Sequence, residues 1–174
     1  MRLHIGGKVA APGWTVLNIE PGPCVDVVGS CTDLSAFADG RCQEVYASHV
    51  LEHLRYEDEL PQALKEFFRV LRPGGVLRVA VPDLDFLCRL FVLPDLTFDQ
   101  RFTVMQLMFG GHSGEHDVHM VGFNQEILTS YLDDAGFVAI VRVEDFGLFD
   151  DSSSLTIAGH PISLNVEMRK PRHG

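Results

Sequence analysis

Five short apolar runs in the first half of the chain constrain its architecture most. RLHI (Arg2 to Ile5), TVLNI (Thr15 to Ile19), VDVVG (Val25 to Gly29), EVYAS (Glu44 to Ser48) and VLRVAV (Val76 to Val81) are rich in β-branched residues and alternate little between polar and apolar. Runs of this kind suit strands buried on both faces, as in a parallel sheet. Glycine or proline closes three of them, at Gly6-Gly7, at Pro21-Gly22-Pro23 and at Pro82. Between the fourth and fifth runs, Leu60, Leu64, Phe67, Phe68 and Leu71 fall on one helical face. Asp58 suits the N-cap of that helix, Pro61 is tolerated in its first turn, and Arg72-Pro73-Gly74-Gly75 stops it. A second helix is expected from Gln125 to Ala135, between the cap Asn124 and the stop Gly136. Two late strands follow, Val138 to Val143 and Ile162 to Met168, around a polar loop that holds Asp150-Asp151-Ser152-Ser153-Ser154. Strands alternating with helices predict an α/β domain with a mainly parallel sheet. Only nine residues, Gly6 to Trp14, part the first two runs, and Pro12-Gly13 interrupts them, so the first crossover helix does not fit.

The 174 residues are read as one domain, residues 1–174, and 46% hydrophobic residues suffice for a core. A net charge of −10 opposes binding to nucleic acid, which needs a basic surface. No apolar run approaches the ~20 residues that span a bilayer, and the N-terminus reads directly as a strand, so no membrane partner and a cytoplasmic location are expected. Cys24, Cys31, Cys42 and Cys88 lack C-x-x-C spacing and read as plain thiols.

In open α/β sheets, ligands bind at the carboxyl ends of strands. Gly6-Gly7 stands after the first run, either as a close-approach site for a ligand or as a plain turn. Asn18 and Glu20 stand after the second, where an acid can accept ribose hydroxyls. Asp33 stands after the third, as an adenine acceptor or a turn residue. The fourth run opens into SHVLEHL, which contains H-x-x-E-H: His49, Glu52 and His53. That string is also a zinc signature of one metallopeptidase class.

The order LHIGG, PGWTVLNIEP, VDVVGSCTDL, EVYASHVLEHL, ALKEFFRVLRPGG and VLRVAVPDL resembles a class I S-adenosylmethionine-dependent methyltransferase, and most of all the type 11 group of small-molecule methyltransferases. The resemblance covers Arg2 to Leu84 and extends through GFNQEILTSYLDDAGF. It implies a Rossmann-like methyltransferase sandwich, mostly parallel with a late antiparallel strand and truncated at the first crossover helix. It implies S-adenosylmethionine as cofactor, held by Gly6, Gly7, Asn18, Glu20, Asp33, Leu34 (through its backbone N–H), Ser48 and His49. The chain departs from the family at Lys8, where a second loop glycine is usual, and at Asn18, where an acid is usual. In this context His49 and His53 are pocket residues, and no metal site is expected.

The implied reaction is methyl transfer to a small-molecule acceptor, such as a sugar or another hydroxyl compound. The alternative is a degenerate methyltransferase-like binding protein without turnover. A nicotinamide oxidoreductase is disfavoured by the absence of G-x-G-x-x-G. Residues 96–123 are the expected lid or acceptor segment. They contain an aromatic and methionine-rich stretch from Phe98 to Phe109, then GGHSGEHDVHMVGF with His112, His116 and His119. His119 is the expected catalytic base, with Asp117 near enough in the chain to orient its ring. The missing crossover helix is expected to leave apolar surface, which a homodimer would cover.

Overall fold

The computed structural model describes residues 1–157 and 159–172. The first half runs β1 (Arg2–Ile5), β2 (Trp14–Asn18), β3 (Val27–Val28), β4 (Cys42–Ser48), a short 3-10 turn (Leu51–His53), α1 (Glu59–Val70) and β5 (Leu71–Pro82). The second half runs α2 (Leu84–Phe91), α3 (Phe98–Phe109), α4 (Gln125–Asp134), β6 (Val138–Val143), β7 (Thr156–Ile157), β8 (His160–Pro161) and β9 (Ser163–Arg169). One seven-stranded sheet is ordered β3-β2-β1-β4-β5-β9-β6. β1 to β5 pair in parallel, whereas β9 enters antiparallel between β5 and β6. This is the expected α/β sheet with its late antiparallel strand. The third strand shrinks to two half-exposed residues at the sheet edge, while α2 and the β7–β8 hairpin had no clear periodicity to announce them.

The local signals that define α1 act as expected. The Asp58 carboxylate accepts from the Glu59 N–H at 2.9 Å, and Leu60, Leu64 and Phe67 are fully buried. They pack on one face of the sheet, against Leu3, Ile5, Leu17, Val45, Ala47, Leu77 and Val79, and this is the main core. α2 and α3 instead form a small separate cluster around Leu87, Leu90 and Val104.

The opposite face explains how the sheet survives without the first crossover helix. Register places Arg2, Trp14 and Glu44 side by side, then His4, Val16, Tyr46 and Arg78, with Glu167 beside Arg78. Arg78 donates to Glu44 at 2.5 Å and to Glu167 at 2.9 Å, a charged ladder that needs no helix above it. The rest of the face is aromatic and is covered from within the chain. The loop after β6 brings Phe149 to 4.1 Å from the His4 ring centroid and 5.0 Å from that of Tyr46. The loop therefore covers the β1, β2 and β4 part of this face, while Val138 and Val141 of β6, in register with Arg169 and Glu167, stay 46% and 53% exposed.

His4 is 4% exposed, and its Nδ1 has no hydrogen-bond partner. Burial pushes its pKa from 6.5 down to about 4, although the Asp151 charge pulls it back upward. Between those values the unfolded chain binds a proton at His4 that the folded chain refuses, so stability falls as pH drops from 6.5 toward 4 and levels off below. His4→Phe removes this dependence. Denaturation from pH 7 to 4 should show the wild type losing up to about 3 kcal/mol more than the variant.

Candidate functional site

The carboxyl ends of β1, β2 and β4 bring the expected cofactor residues to one side of the sheet, but several of their polar groups are already in use. Gly6 has φ 72°, and its N–H donates to the Leu17 carbonyl at 2.8 Å. A Cβ on Gly6 would lie 2.5 Å from Val50 Cγ2, and one on Gly7 would lie 2.7 Å from His4 Nδ1. The two glycines are thus required by the packing of the turn itself.

Asn18 is 7% exposed and acts as a brace. Its Nδ2 donates to the Gly7 carbonyl, and its Oδ1 accepts from the Glu20 N–H, both at 3.0 Å. A carboxylate could make the second bond but not the first, so the amide is accounted for by the Gly7 carbonyl it faces. The expectation that Asn18 receives a ribose hydroxyl is not supported by this geometry. Glu20 is exposed, and its carboxylate takes part in no hydrogen bond or ion pair among the described residues. It is the acid at this strand end that remains open to a ligand.

Leu34 requires a clearer correction. It is fully buried, and its N–H, expected to meet an adenine ring, donates to Glu66 Oε2 at 2.8 Å. Its carbonyl accepts from Arg69 at 2.9 Å. Glu66 and Arg69 form a two-point ion pair, 2.8 Å in each arm, and Arg69 also reaches the Phe37 carbonyl and Asp39. The Arg69 guanidinium holds the Glu66 carboxyl below its ordinary range. This pair pins the irregular segment after β3 onto α1. The i, i+3 spacing of Glu66 and Arg69 was readable as a helix-surface pair, but nothing in the sequence pointed to the carbonyls they hold. Asp33 is exposed, and its carboxylate accepts from Ser35, which lowers its pKa. It is a turn residue whose carboxylate edge still faces solvent.

Ser48 and His49 end β4 in a strained step, His49 having φ 52°. Ser48 donates to Asp151 at 3.2 Å, and His49 Nε2 lies 2.8 Å from Ser163 Oγ. Ser48 ties the strand end to the loop after β6, and His49 ties it to the start of β9. Beyond them, the backbone N–H groups of Met120 and Val121 reach the Glu52 carbonyl at 2.7 and 3.3 Å, laying the segment after α3 along the 3-10 turn.

That contact brings His119 beside His53, with ring centroids 4.9 Å apart. His119 is half-buried, its Nδ1 lies 3.3 Å from the Met108 carbonyl, and burial lowers its pKa. Asp117 does not orient it. Its carboxylate accepts from Ser113 Oγ at 2.6 Å and from the N–H groups of Ser113 and Gly111, and these bonds bring its pKa down to about 2. Nor do the three loop histidines converge: His112 turns back to the Phe109 carbonyl, and His116 is exposed. Among the described residues, the group that comes together is Glu52, His53 and His119.

Sheet order, strand ends and chain order together match a known fold. Residues 14–79 match the family model described as a methyltransferase domain. The chain has the class I methyltransferase fold. No curated protein matches it in sequence. It superposes on a SAM-dependent methyltransferase of Archaeoglobus fulgidus with a TM-score of 0.62 at 14% identity, over 97% of this chain and 85% of that one. A SAM-dependent methyltransferase of Thermotoga maritima gives 0.60 at 19% identity, over 97% and 81%. The 1,6-didemethyltoxoflavin-N1-methyltransferase of Burkholderia thailandensis, solved with 1,6-didemethyltoxoflavin and S-adenosylhomocysteine bound, gives 0.56 at 16% identity, over 98% and 71%. At such identities the likeness is one of fold. The methyltransferase-fold chain spans 61% of the length of a similar protein from Bordetella parapertussis.

The turn after β1 provides a direct check on this geometry. Gly6→Ala forces a side chain into a left-handed residue and against Val50, and should cost about 1–2 kcal/mol in urea denaturation. Adding Val50→Ala relieves the clash but not the backbone strain, so the double variant should recover part of the loss relative to Val50→Ala alone.

Proposed function

We propose that the protein is an S-adenosylmethionine-dependent methyltransferase acting on a small-molecule acceptor, a sugar or another hydroxyl compound. The observation that carries this reading is the strand-end layout: a left-handed glycine after β1 and an unpaired carboxylate, Glu20, after β2, on the methyltransferase sheet order. The residues that fit the cofactor are the Gly6-Gly7 backbone, Glu20 and Asp33. Glu20 offers acceptors for vicinal hydroxyls, and Asp33 one for an exocyclic amine. Asn18, Ser48 and His49 act one step removed, by fixing the turns. When bound, the cofactor supplies a methyl group on a positive sulfonium.

Residues 96–123 form the acceptor side in this proposal, and His119 is its catalytic residue. The Met108 carbonyl takes the Nδ1 proton, so the neutral ring keeps its lone pair on Nε2. Exposed Phe98 and Phe102, stacked at 6.0 Å, give the segment an apolar face that can exclude water from an acceptor. The 1,6-didemethyltoxoflavin bound to the similar Burkholderia protein supports a small acceptor. The free thiols of Cys24, Cys31, Cys42 and Cys88 fit a reducing compartment, and a cytoplasmic location belongs to the same proposal. No helix among the described residues is long and apolar enough to cross a membrane.

A second reading has one observation in its favour. The Leu34 N–H and both ends of the Asn18 amide are spent inside the protein. A methyltransferase-like binding protein without turnover would tolerate those losses.

Calorimetry with S-adenosylhomocysteine tests the cofactor site. Binding is expected, and Glu20→Ala and Asp33→Ala should each weaken it by about 0.5–1.5 kcal/mol, the worth of a hydrogen bond. No heat at millimolar ligand would remove the enzyme reading. His119→Ala should leave that affinity and the melting temperature nearly unchanged while turnover falls at least about tenfold. A lower melting temperature with unchanged turnover per folded molecule would make His119 a structural residue.

A further inference from the structure

The string H-x-x-E-H is left without a chemical role by the methyl-transfer reading. Its Glu52 is 1% exposed, and neither carboxylate oxygen accepts a hydrogen bond. A carboxylate buried in this way is costly unless a cation or a donor faces it. His49 Nδ1 lies 3.3 Å from Glu52 Oε1, an ion pair only when the ring carries a proton on both nitrogens. Ser163 Oγ donates to the Ser152 carbonyl at 2.7 Å, so it accepts from His49 Nε2, and the neutral ring presents a lone pair at Nδ1.

On the other side of Glu52, two more rings are set in a corresponding way. His53 Nδ1 lies 3.1 Å from the Val118 carbonyl and His119 Nδ1 lies 3.3 Å from the Met108 carbonyl, so each keeps its lone pair on Nε2. A backbone carbonyl behind one ring nitrogen is the usual way in which a metal-binding histidine is oriented. One ligand atom from each of Glu52, His53 and His119 lies within 4.8 Å of the others. The cluster consists of acceptors alone, in a half-buried position.

We propose that Glu52, His53 and His119 bind one divalent transition-metal ion of the zinc class, with His49 Nδ1 as a further lone pair at the rim. Two imidazoles and one carboxylate favour zinc, cobalt or nickel over magnesium or calcium, which prefer all-oxygen sites. Three protein ligands also leave a coordination position open. This site goes beyond the methyl-transfer reading and does not rest on it. The metal takes the same Nε2 lone pair that proton acceptance needs, so in the metal-bound protein His119 is a ligand and not a base.

The test uses the whole chain, stripped with a chelator and titrated with Co(II), followed by visible d–d absorption and calorimetry, with Zn(II) as competitor. One equivalent is expected to bind, to raise the melting temperature and to be displaced by Zn(II). Glu52→Gln and His119→Ala should each weaken binding by at least about tenfold, the least that support residues of metal sites cost. The double variant His112→Ala/His116→Ala should bind as the wild type does. Absence of stoichiometric binding, unchanged affinity in His119→Ala, or loss of binding confined to the loop double variant would each overturn the site. If Glu52→Gln does not fold, the half-buried His119→Ala decides alone. S-adenosylhomocysteine affinity, measured on the same metal-free samples, shows separately whether the cofactor reading stands.

Discussion

Asp151 holds the helix-poor face of the sheet together. Its carboxylate accepts from the Tyr46 hydroxyl at 2.8 Å, from Ser48 at 3.2 Å and from the Ser153 N–H at 2.9 Å. Tyr46 is fully buried on β4, and burial raises its pKa, so its hydroxyl stays a donor that must be satisfied. A crossover helix would ordinarily cover such a face. Here a loop from the far end of the chain does so, with Asp151 anchoring it and Phe149 filling the space over His4. Asn165 adds a second anchor, donating to the carbonyls of Glu144 and Ser153 at 2.8 and 2.9 Å. The same loop fixes Ser48 directly and His49 through Ser163, so the cover of the sheet and the rim of the site are one structure.

That economy affects the site. A methyltransferase sheet with full crossover helices has segments to spare, and its strand-end side chains can face a ligand. In this chain the turns have little else to brace them. Asn18 is used to tie the first two turns together, and the Leu34 N–H is used to dock the segment after β3. Each bond contributes about 1 kcal/mol to folding, and each removes a donor that a cofactor would otherwise meet. What remains open is a subset of the expected set: the carboxylates of Glu20 and Asp33.

The parts of this arrangement that were legible in the sequence are the local ones. Most strand runs, the Asp58 and Asn124 caps and the stop at Gly136 depend on neighbours in the chain and fall within a residue or two of where the pattern puts them, whereas β5 begins at Leu71, five residues before its apolar run, and takes in Gly74. The two-residue β3 was over-read because an edge strand needs partner contacts that composition does not report. Asn18 was recognised as a departure, but its cause, the Gly7 carbonyl, lies across a turn. Leu34 was assigned through its backbone N–H, a group that every residue but proline carries, so the sequence held no sign that Glu66 had taken it. Asp117 was placed beside His119 by chain proximity, whereas an irregular glycine-containing loop turns the carboxylate back on Ser113.

H-x-x-E-H shows why a motif carries meaning only through its backbone. On a continuous α-helix, residues four apart share a face, and His49 and His53 would converge. Here His49 takes a left-handed φ of 52° and the following turn is a three-residue 3-10 segment, so the helical premise fails. The acid between them keeps its need for a counter-charge, because burial depends on tertiary packing and not on helix type. His119 reaches the acid from 67 residues further along the chain, carried in by the backbone bonds from Met120 and Val121 to Glu52. The helical spacing of the string therefore has no bearing on its chemistry here, whereas the unsatisfied carboxylate does. A buried polar atom without a partner is a constraint, and the side chains that close around Glu52 bring it lone pairs, which leave the counter-charge to the proposed cation.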